Sequence, residues 1–253
     1  MKTAIITGAS SGLGVEFLRA AVSLCPDIDI FWLVARRRER LEALQPLFPN
    51  KTLRAVPLDL TDPAALRTLQ ALLNEEKPQL SLLINNAGFG RLCDFDTSVP
   101  DDQTAMVDLN CRALTAVTRY CLPYMTAGAL IVNVSSIASF APTPRMAVYC
   151  STKAYVQSFS RALREELKPR KINVLAVCPG PMDTEFLPAA GCDAGKSRTF
   201  DTLPHQNPAK MARCALSAGL RGRSACTMGA FYKFYRFLAH LLPKCILMKM
   251  TRC

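Results

Sequence analysis

The chain has 253 residues, half of them hydrophobic and 20% charged. That balance excludes a disordered polymer and suits one globular domain with a substantial buried core. The formal net charge of +11 is uneven, because residues 1–185 hold 20 basic and 18 acidic side chains while residues 186–253 hold 11 and 2.

Short apolar, β-rich runs predict strands at residues 3–7, 30–35, 53–57, 80–85, 129–135 and 172–178. Every run except the fourth leads into a helical pattern, as at 13–23, 37–45, 63–74 and 148–167. After the fourth comes a loop, then one long expected helix over 101–125. Several strand runs are continuously apolar, such as Ala129-Leu130-Ile131-Val132, which is how parallel strands covered on both faces read. The alternation predicts a single-domain α/β fold over residues 1–253: a doubly wound parallel sheet of the Rossmann type with helices on both faces. Ligands of such sheets bind at the carboxyl ends of the strands.

The first strand runs into Thr7-Gly8-Ala9-Ser10-Ser11-Gly12-Leu13-Gly14, and a helix opens there. Glycines between a strand and a helix let backbone N–H groups approach a pyrophosphate, which the helix N-terminus also attracts. At the end of the second strand an NAD site would place an acidic residue for the ribose 2′-hydroxyl. This chain has Arg36-Arg37-Arg38 there, and an arginine fork suits a 2′-phosphate. NADP(H) is the expected cofactor, with Arg36 as the clamp and Arg37, Ser10 or Ser11 as helpers.

Tyr149-Cys150-Ser151-Thr152-Lys153 places a phenol and an ammonium one helical turn apart. A phenol titrates near about 10, and a neighbouring cation lowers that value, which makes Tyr149 a candidate general acid and base. Ser136 and Ser135 follow the fifth strand, and either hydroxyl could face the same pocket. Asn110 falls mid-helix, where asparagine is a poor helix former.

With its T-G-x-x-x-G-x-G loop, its Asn85-Asn86-Ala87-Gly88 turn, Ser136 and the Y-x-x-x-K pair, the sequence resembles the short-chain dehydrogenase/reductase family over nearly its whole length. The resemblance implies hydride transfer between nicotinamide and a ketone or secondary alcohol. It implies a catalytic set of Asn110, Ser136, Tyr149 and Lys153, with Asn110 distorting its helix and holding a water beside Lys153. It implies adenine contacts from Asp59 and Leu60, and a turn at Asn86, Ala87 and Gly88 that lets the backbone pass close to the cofactor, with Asn86 mainly a brace. Pro179, Gly180 and Thr184 would orient the nicotinamide, and Lys153 would hold its ribose. Homodimers or homotetramers are implied as well. The alternatives are the same fold emptied of chemistry, as a dinucleotide sensor or scaffold, and a lipid-modifying reductase at the membrane surface.

Residues 185–206 read as a substrate lid. Phe186, Leu187 and Phe200, with Phe89, Pro142 and Met146, are candidates for an apolar pocket wall suited to a bulky steroid-like or acyl ketone. Residues 229–253 form a basic, apolar extension with three readings: a cover over the pocket or a subunit interface, a membrane-surface anchor, or a polyanion site. No nucleic-acid motif accompanies the charge, so a nucleic-acid partner is not expected. The 11 cysteines are scattered and odd in number, without metal-ligand spacing, so no metal is expected. With no secretory signal evident at the start, they point to a cytoplasmic, reducing compartment, with peripheral membrane contact through the extension as its variant.

Overall fold

The structure, a computed structural model, describes residues 1–192 and 201–251. Its strands are β1 (Lys2–Thr7), β2 (Ile28–Ala35), β3 (Thr52–Pro57), β4 (Gln79–Asn85), β5 (Met125–Val134), β6 (Asn173–Val177) and β7 (Ala225–Cys226). All neighbours pair in parallel, in the order β3-β2-β1-β4-β5-β6-β7. This is the expected doubly wound sheet, and its order reverses between β1 and β4.

Side chains on a strand alternate between faces, and here both faces are cores. Ala4 and Ile6 of β1, with Phe31 and Leu33 of β2, point to one side. There they meet α1 (Gly12–Leu24) and, through Met211, Ala215 and Leu216, α8 (Pro208–Leu220). Ile5, Trp32 and Val34 point to the other side. They meet α3 (Pro63–Glu76), α5 (Leu114–Cys121) and α6 (Ala147–Leu167). Two helices start on recognisable signals: Asp62 and Asn207 accept backbone N–H bonds from Ala64 and Lys210, each just before a proline.

Several boundaries differ from the sequence reading; the helix expected over 37–45 is only the short α2 (Arg38–Glu42), and β2 starts two residues early. The long helix expected over 101–125 is α4 (Pro100–Val107), a wide π-type turn over Asp108–Ala113, then α5 and a 3-10 turn over Leu122–Tyr124. Asn110 sits in the wide turn, where its side chain bonds to groups outside the helix. β5 starts at Met125, four residues early, because it pairs with Leu80 of β4 across a register shift. β6 is followed by a loop and the short α7 (Phe186–Ala189), not by a covering helix directly. β7 was not expected; two residues long, it carries little pattern. Residues 193–200 of the expected lid, including Phe200, lie outside the described residues.

A buried polar chain stitches the sheet to its second face. Asn85 Nδ2 donates to Thr118 Oγ1 (2.9 Å) and Asn133 Oδ1 (2.8 Å), and Asn133 Nδ2 donates to Ser160 Oγ (3.0 Å). Replacing Asn133 with Leu leaves buried polar atoms of Asn85 and Ser160 short of partners. The expected cost is about 1–3 kcal/mol, read from urea unfolding. An unchanged midpoint would show that the chain of bonds adds no net stability.

Candidate active site

At the carboxyl ends of β1 and β4 opens a cavity of about 820 Å³. All of the site residues named from sequence line it except Gly14 and Asn110, which stand one layer behind. Apolar wall residues Phe89, Met146, Phe186 and Leu187 line it too, whereas Pro142 does not.

The glycine loop takes the conformation that its glycines permit. Gly8 and Gly12 have φ of +66° and +52°, in the region where a Cβ is strained. The loop is held from below: Gly8 N donates to Val34 O (2.8 Å), and Asn86 Nδ2 donates to the carbonyls of Thr7 (3.1 Å) and Gly8 (3.2 Å). Asn86 therefore braces the loop. Ser11 precedes α1 with extended backbone and no side-chain cap bond, and Leu13 and Gly14 fill the first turn. The N–H groups of that turn, with the positive end of the helix, are disposed toward an anion. Thr184 closes over the loop, its Cβ 3.3 Å from where a Cβ on Gly12 would stand.

The arginines divide differently from the expectation. Arg37, named as a helper, is the one on the loop: its Nη2 donates to Ser10 Oγ (3.2 Å) and Ser11 Oγ (2.9 Å). Arg36 reaches toward Asp59 at 3.9 Å and is largely exposed, though it still borders the cavity. Asp59 is steadied by Thr61, and Leu60 is buried beside it. Glu185 bonds both Arg37 (3.0 Å) and Arg40 (2.5 Å), and these cations hold its carboxyl at about 2. The sequence reading missed Glu185, because its partners lie well over a hundred residues away.

Deeper in the cavity α6 presents Tyr149 and Lys153 from its first turns, both buried. Ser136 stands beside Tyr149 and favours its phenolate, while the Ser135 hydroxyl donates to Lys153 O at 2.7 Å. The two serines are thereby told apart. Lys153 Nζ donates to Val134 O (3.0 Å) and stands 5.7 Å from the Tyr149 ring centroid. Among the described residues no carboxylate forms an ion pair with it. Asn110 is 1% exposed; its Nδ2 donates to Phe89 O (2.9 Å) and Thr152 Oγ1 (3.0 Å), and its Oδ1 accepts from Phe89 N (3.1 Å). A Cβ on Gly88 would come 2.8 Å from Asn110 Oδ1 and 3.2 Å from Lys153 Nζ, so these groups converge on one point.

Burial acts on both titrating groups and favours the neutral form of each. It pushes the Tyr149 phenol above its ordinary range, against the opposing pull of the Ser136 hydroxyl. The lowering expected from Lys153 is not what sets the phenol; burial is, with Ser136 as the opposing influence. Burial likewise lowers Lys153 to about 8. The arrangement keeps a proton on the phenol and sets an ammonium near neutrality behind it.

α9 (Ala230–Leu241) completes the wall through Phe231, Tyr232 and Tyr235, and Thr251, just after α10 (Lys244–Met250), joins them. A Cβ on Gly180 would fall 2.6 Å from the Tyr232 ring, so the turn after β6 and the tail are fitted to each other. Gln206 locks the same corner, accepting from Gly180 N (2.9 Å) and donating to Met228 O (2.7 Å). Neither Tyr232 nor Gln206 was legible as a site residue, since neither belongs to a spaced motif.

The unfolded chain holds the Lys153 proton up to 10.5, whereas the folded chain gives it up near 8. Unfolding takes up a proton in that window, so stability rises with pH there. Urea unfolding of the wild type and of Lys153→Met should show their difference shifting toward the wild type between pH 8 and 10.5. A constant difference would contradict a depressed lysine.

The sequence pattern of the short chain dehydrogenase family matches residues 2–193. Sulfoacetaldehyde reductase 2 of Chromohalobacter salexigens is 36% identical over 214 residues, 80% of this chain and 82% of the relative. The NADP-dependent 3-hydroxy acid dehydrogenase of Schizosaccharomyces pombe is 34% identical over 194 residues, 73% of each chain. A short-chain dehydrogenase from Sphingobium yanoikuyae, solved in complex with NADPH, superposes with a TM-score of 0.79 at 29% identity, covering 95% of this chain and 94% of that one. With the glycine loop, the Asn86 brace and the Ser136–Tyr149–Lys153 cluster in place, the chain belongs to the short-chain dehydrogenase family.

Proposed function

We propose that this chain is an NADP(H)-dependent oxidoreductase that moves a hydride between nicotinamide and a ketone or secondary alcohol. The observation that carries this reading is that Ser136, Tyr149 and the buried Lys153 line one cavity together, at the far end from the glycine loop.

The residues fit the cofactor. Gly8 and Gly12 hold the loop open with positive φ, the N-terminus of α1 is uncapped, and the Arg37 guanidinium lies on Ser10 and Ser11 where a 2′-phosphate would need it. The NADPH-bound relative and the NADP-dependent relative support the same choice. Gly8, Ser10, Ser11, Gly12 and Leu13 would take the pyrophosphate, Arg37 with Arg36 the 2′-phosphate, Asp59 and Leu60 the adenine. Ala87, Gly88, Pro179, Gly180 and Thr184 would border the nicotinamide half, and Lys153 its ribose. When bound, NADP(H) supplies or accepts the hydride.

The chain's own residues supply position and proton flow. Ser136 Oγ orients the carbonyl oxygen and stabilises the charge that develops there. Tyr149 Oη gives its proton to that oxygen in reduction and takes it back in oxidation. Lys153 favours the transient phenolate and, poised near neutrality, hands on the replacement proton. Asn110 fixes the wide turn that faces Lys153 across Gly88. The walls formed by Phe89, Met146, Phe186, Leu187, Phe231 and Tyr232 favour a bulky apolar ketone, steroid-like or acyl. A non-catalytic sensor would have no use for a buried phenol and lysine held together.

Cytoplasmic location follows from the cysteine usage, with peripheral membrane contact through residues 229–253. No helix among the described residues is long and apolar enough to cross a membrane. The likeness to this family favours a homodimer or homotetramer.

Tyr149→Phe should lower turnover about 10²–10⁴-fold, followed by loss of NADPH absorbance against a panel of apolar ketones. NADPH binding, read by fluorescence, should remain. Full turnover in that variant would remove the assignment. Arg37→Ala should weaken NADPH about ten- to a hundredfold, consistent with a lost charge-assisted bond, and leave NADH binding nearly unchanged. A larger effect from Arg36→Ala would return the clamp to Arg36.

A further inference from the structure

We infer that α9 and α10 dock on an anionic lipid surface and set the mouth of the substrate cavity at the bilayer, so that the ketone enters from the lipid. The docking stands on the surface itself; the entry route rests on the reductase reading above.

A surface helix of a globular protein needs one apolar face, and α9 has two. The inner face is already used. Tyr232 is 1% exposed and donates to Pro204 O (2.6 Å), Tyr235 packs on Phe140 at 6.0 Å between ring centroids, and Ala239 is buried beside Cys178 and Leu247. On the other side Phe231, Phe234, Phe237 and Leu241 recur at helical spacing and form one stripe. They are 51%, 60%, 59% and 64% exposed. Four large apolar side chains in a row on the outside of a folded domain call for a partner.

The charge around the stripe identifies that partner. Lys233 and Arg236 lie on the same helix and Lys249 on the next, whereas Lys244 is turned onto the carbonyls of Phe140 and Ala239; no aspartate or glutamate follows Asp201 in the chain. A second copy in a two-fold contact would lay these cations against themselves, with no carboxylate in the segment to pair them. A membrane with anionic headgroups accepts both parts: the rings enter the acyl boundary, and the lysine stems snorkel to the phosphates. The helices are too short to span it, and Pro243 separates them. They would lie in the plane of the interface.

Phe231 belongs both to the stripe and to the cavity wall, beside Tyr232 and Tyr235. The docking face and the cavity mouth are therefore contiguous. An apolar ketone dissolved in the bilayer would reach Tyr149 without crossing water, past walls that are themselves largely apolar.

The test uses the full chain with NADPH bound and vesicles of phosphatidylcholine, with and without phosphatidylglycerol. The wild type should pellet with the anionic vesicles, and at least about tenfold less with phosphatidylcholine alone or in high salt. Phe234→Ser combined with Phe237→Ser, neither of which lines the cavity, should lose pelleting about tenfold. The double variant should keep NADPH fluorescence binding and its rate on a short soluble ketone, and slow only with an apolar ketone delivered in vesicles. Absence of wild-type pelleting, or equal pelleting by the double variant, would overturn the docking. So would a wild type that dimerises without lipid while the double variant sediments as a monomer. Pelleting without reduction of any ketone, soluble or lipid-borne, would remove the entry route together with the reductase reading and leave the lipid contact standing.

Discussion

The site hangs on the seam between β1 and β4, where neighbouring parallel strands lead away to opposite sides and a crevice opens. A crevice of that kind is an energetic liability, because strand ends expose backbone groups that lack ladder partners. Here Thr7 Oγ1 accepts from both Asn86 N and Ala87 N (each 3.0 Å), and the Asn86 side chain returns bonds to Thr7 O and Gly8 O. The first strand, the fourth strand and the glycine loop become one rigid block. The upper side of the loop is then free to present its N–H groups, since the lower side is fully held.

A second constraint is the cost of burying Lys153. A buried ammonium without a carboxylate partner is expensive, of the order of several kcal/mol, and the protein meets it partly by lowering the proton affinity. The carbonyl of Val134 is its partner, and that carbonyl belongs to the last residue of β5. Tyr149 pays the same burial cost in the opposite direction. The two effects leave a phenol that keeps its proton and an amine that exchanges one near neutrality. That is a useful pairing for moving a proton to a carbonyl and replacing it.

The tail answers a different physical demand. Tyr232 fills the space that Gly180 leaves, and Gln206 ties the turn after β6 to Met228. The C-terminal helices are thus part of the cavity wall. Of the three readings that the charge and hydropathy of residues 229–253 allowed, a cover over the pocket accounts for the inner face of α9 alone. The outer face is surplus to folding, and it is the face that the proposed lipid contact would cover.

Much of the fold was legible because it rests on local repetition. Apolar runs buried on both sides and helical periodicity are properties of neighbouring residues, and so is the glycine loop. The i, i+4 spacing of Tyr149 and Lys153 survives in any helix, which is why it marked the site. Other features depended on residues far apart in the chain. Whether Arg36 or Arg37 lies on Ser10 and Ser11 follows from which way the chain turns after β2, and adjacent arginines read alike. The separation of Ser135 from Ser136 required α6 to be packed against β5. The wide turn at Asn110 required Phe89 and Thr152 to come within bonding distance, and β7 exists only because β6 offered an edge. Sequence by itself determined the elements, their order and the chemistry of the site residues, since those are encoded by near neighbours. Tertiary structure alone decided which of two adjacent arginines meets the glycine loop, which of two serines bonds the backbone of α6, and which face of the tail is left over, because packing between distant segments sets all three.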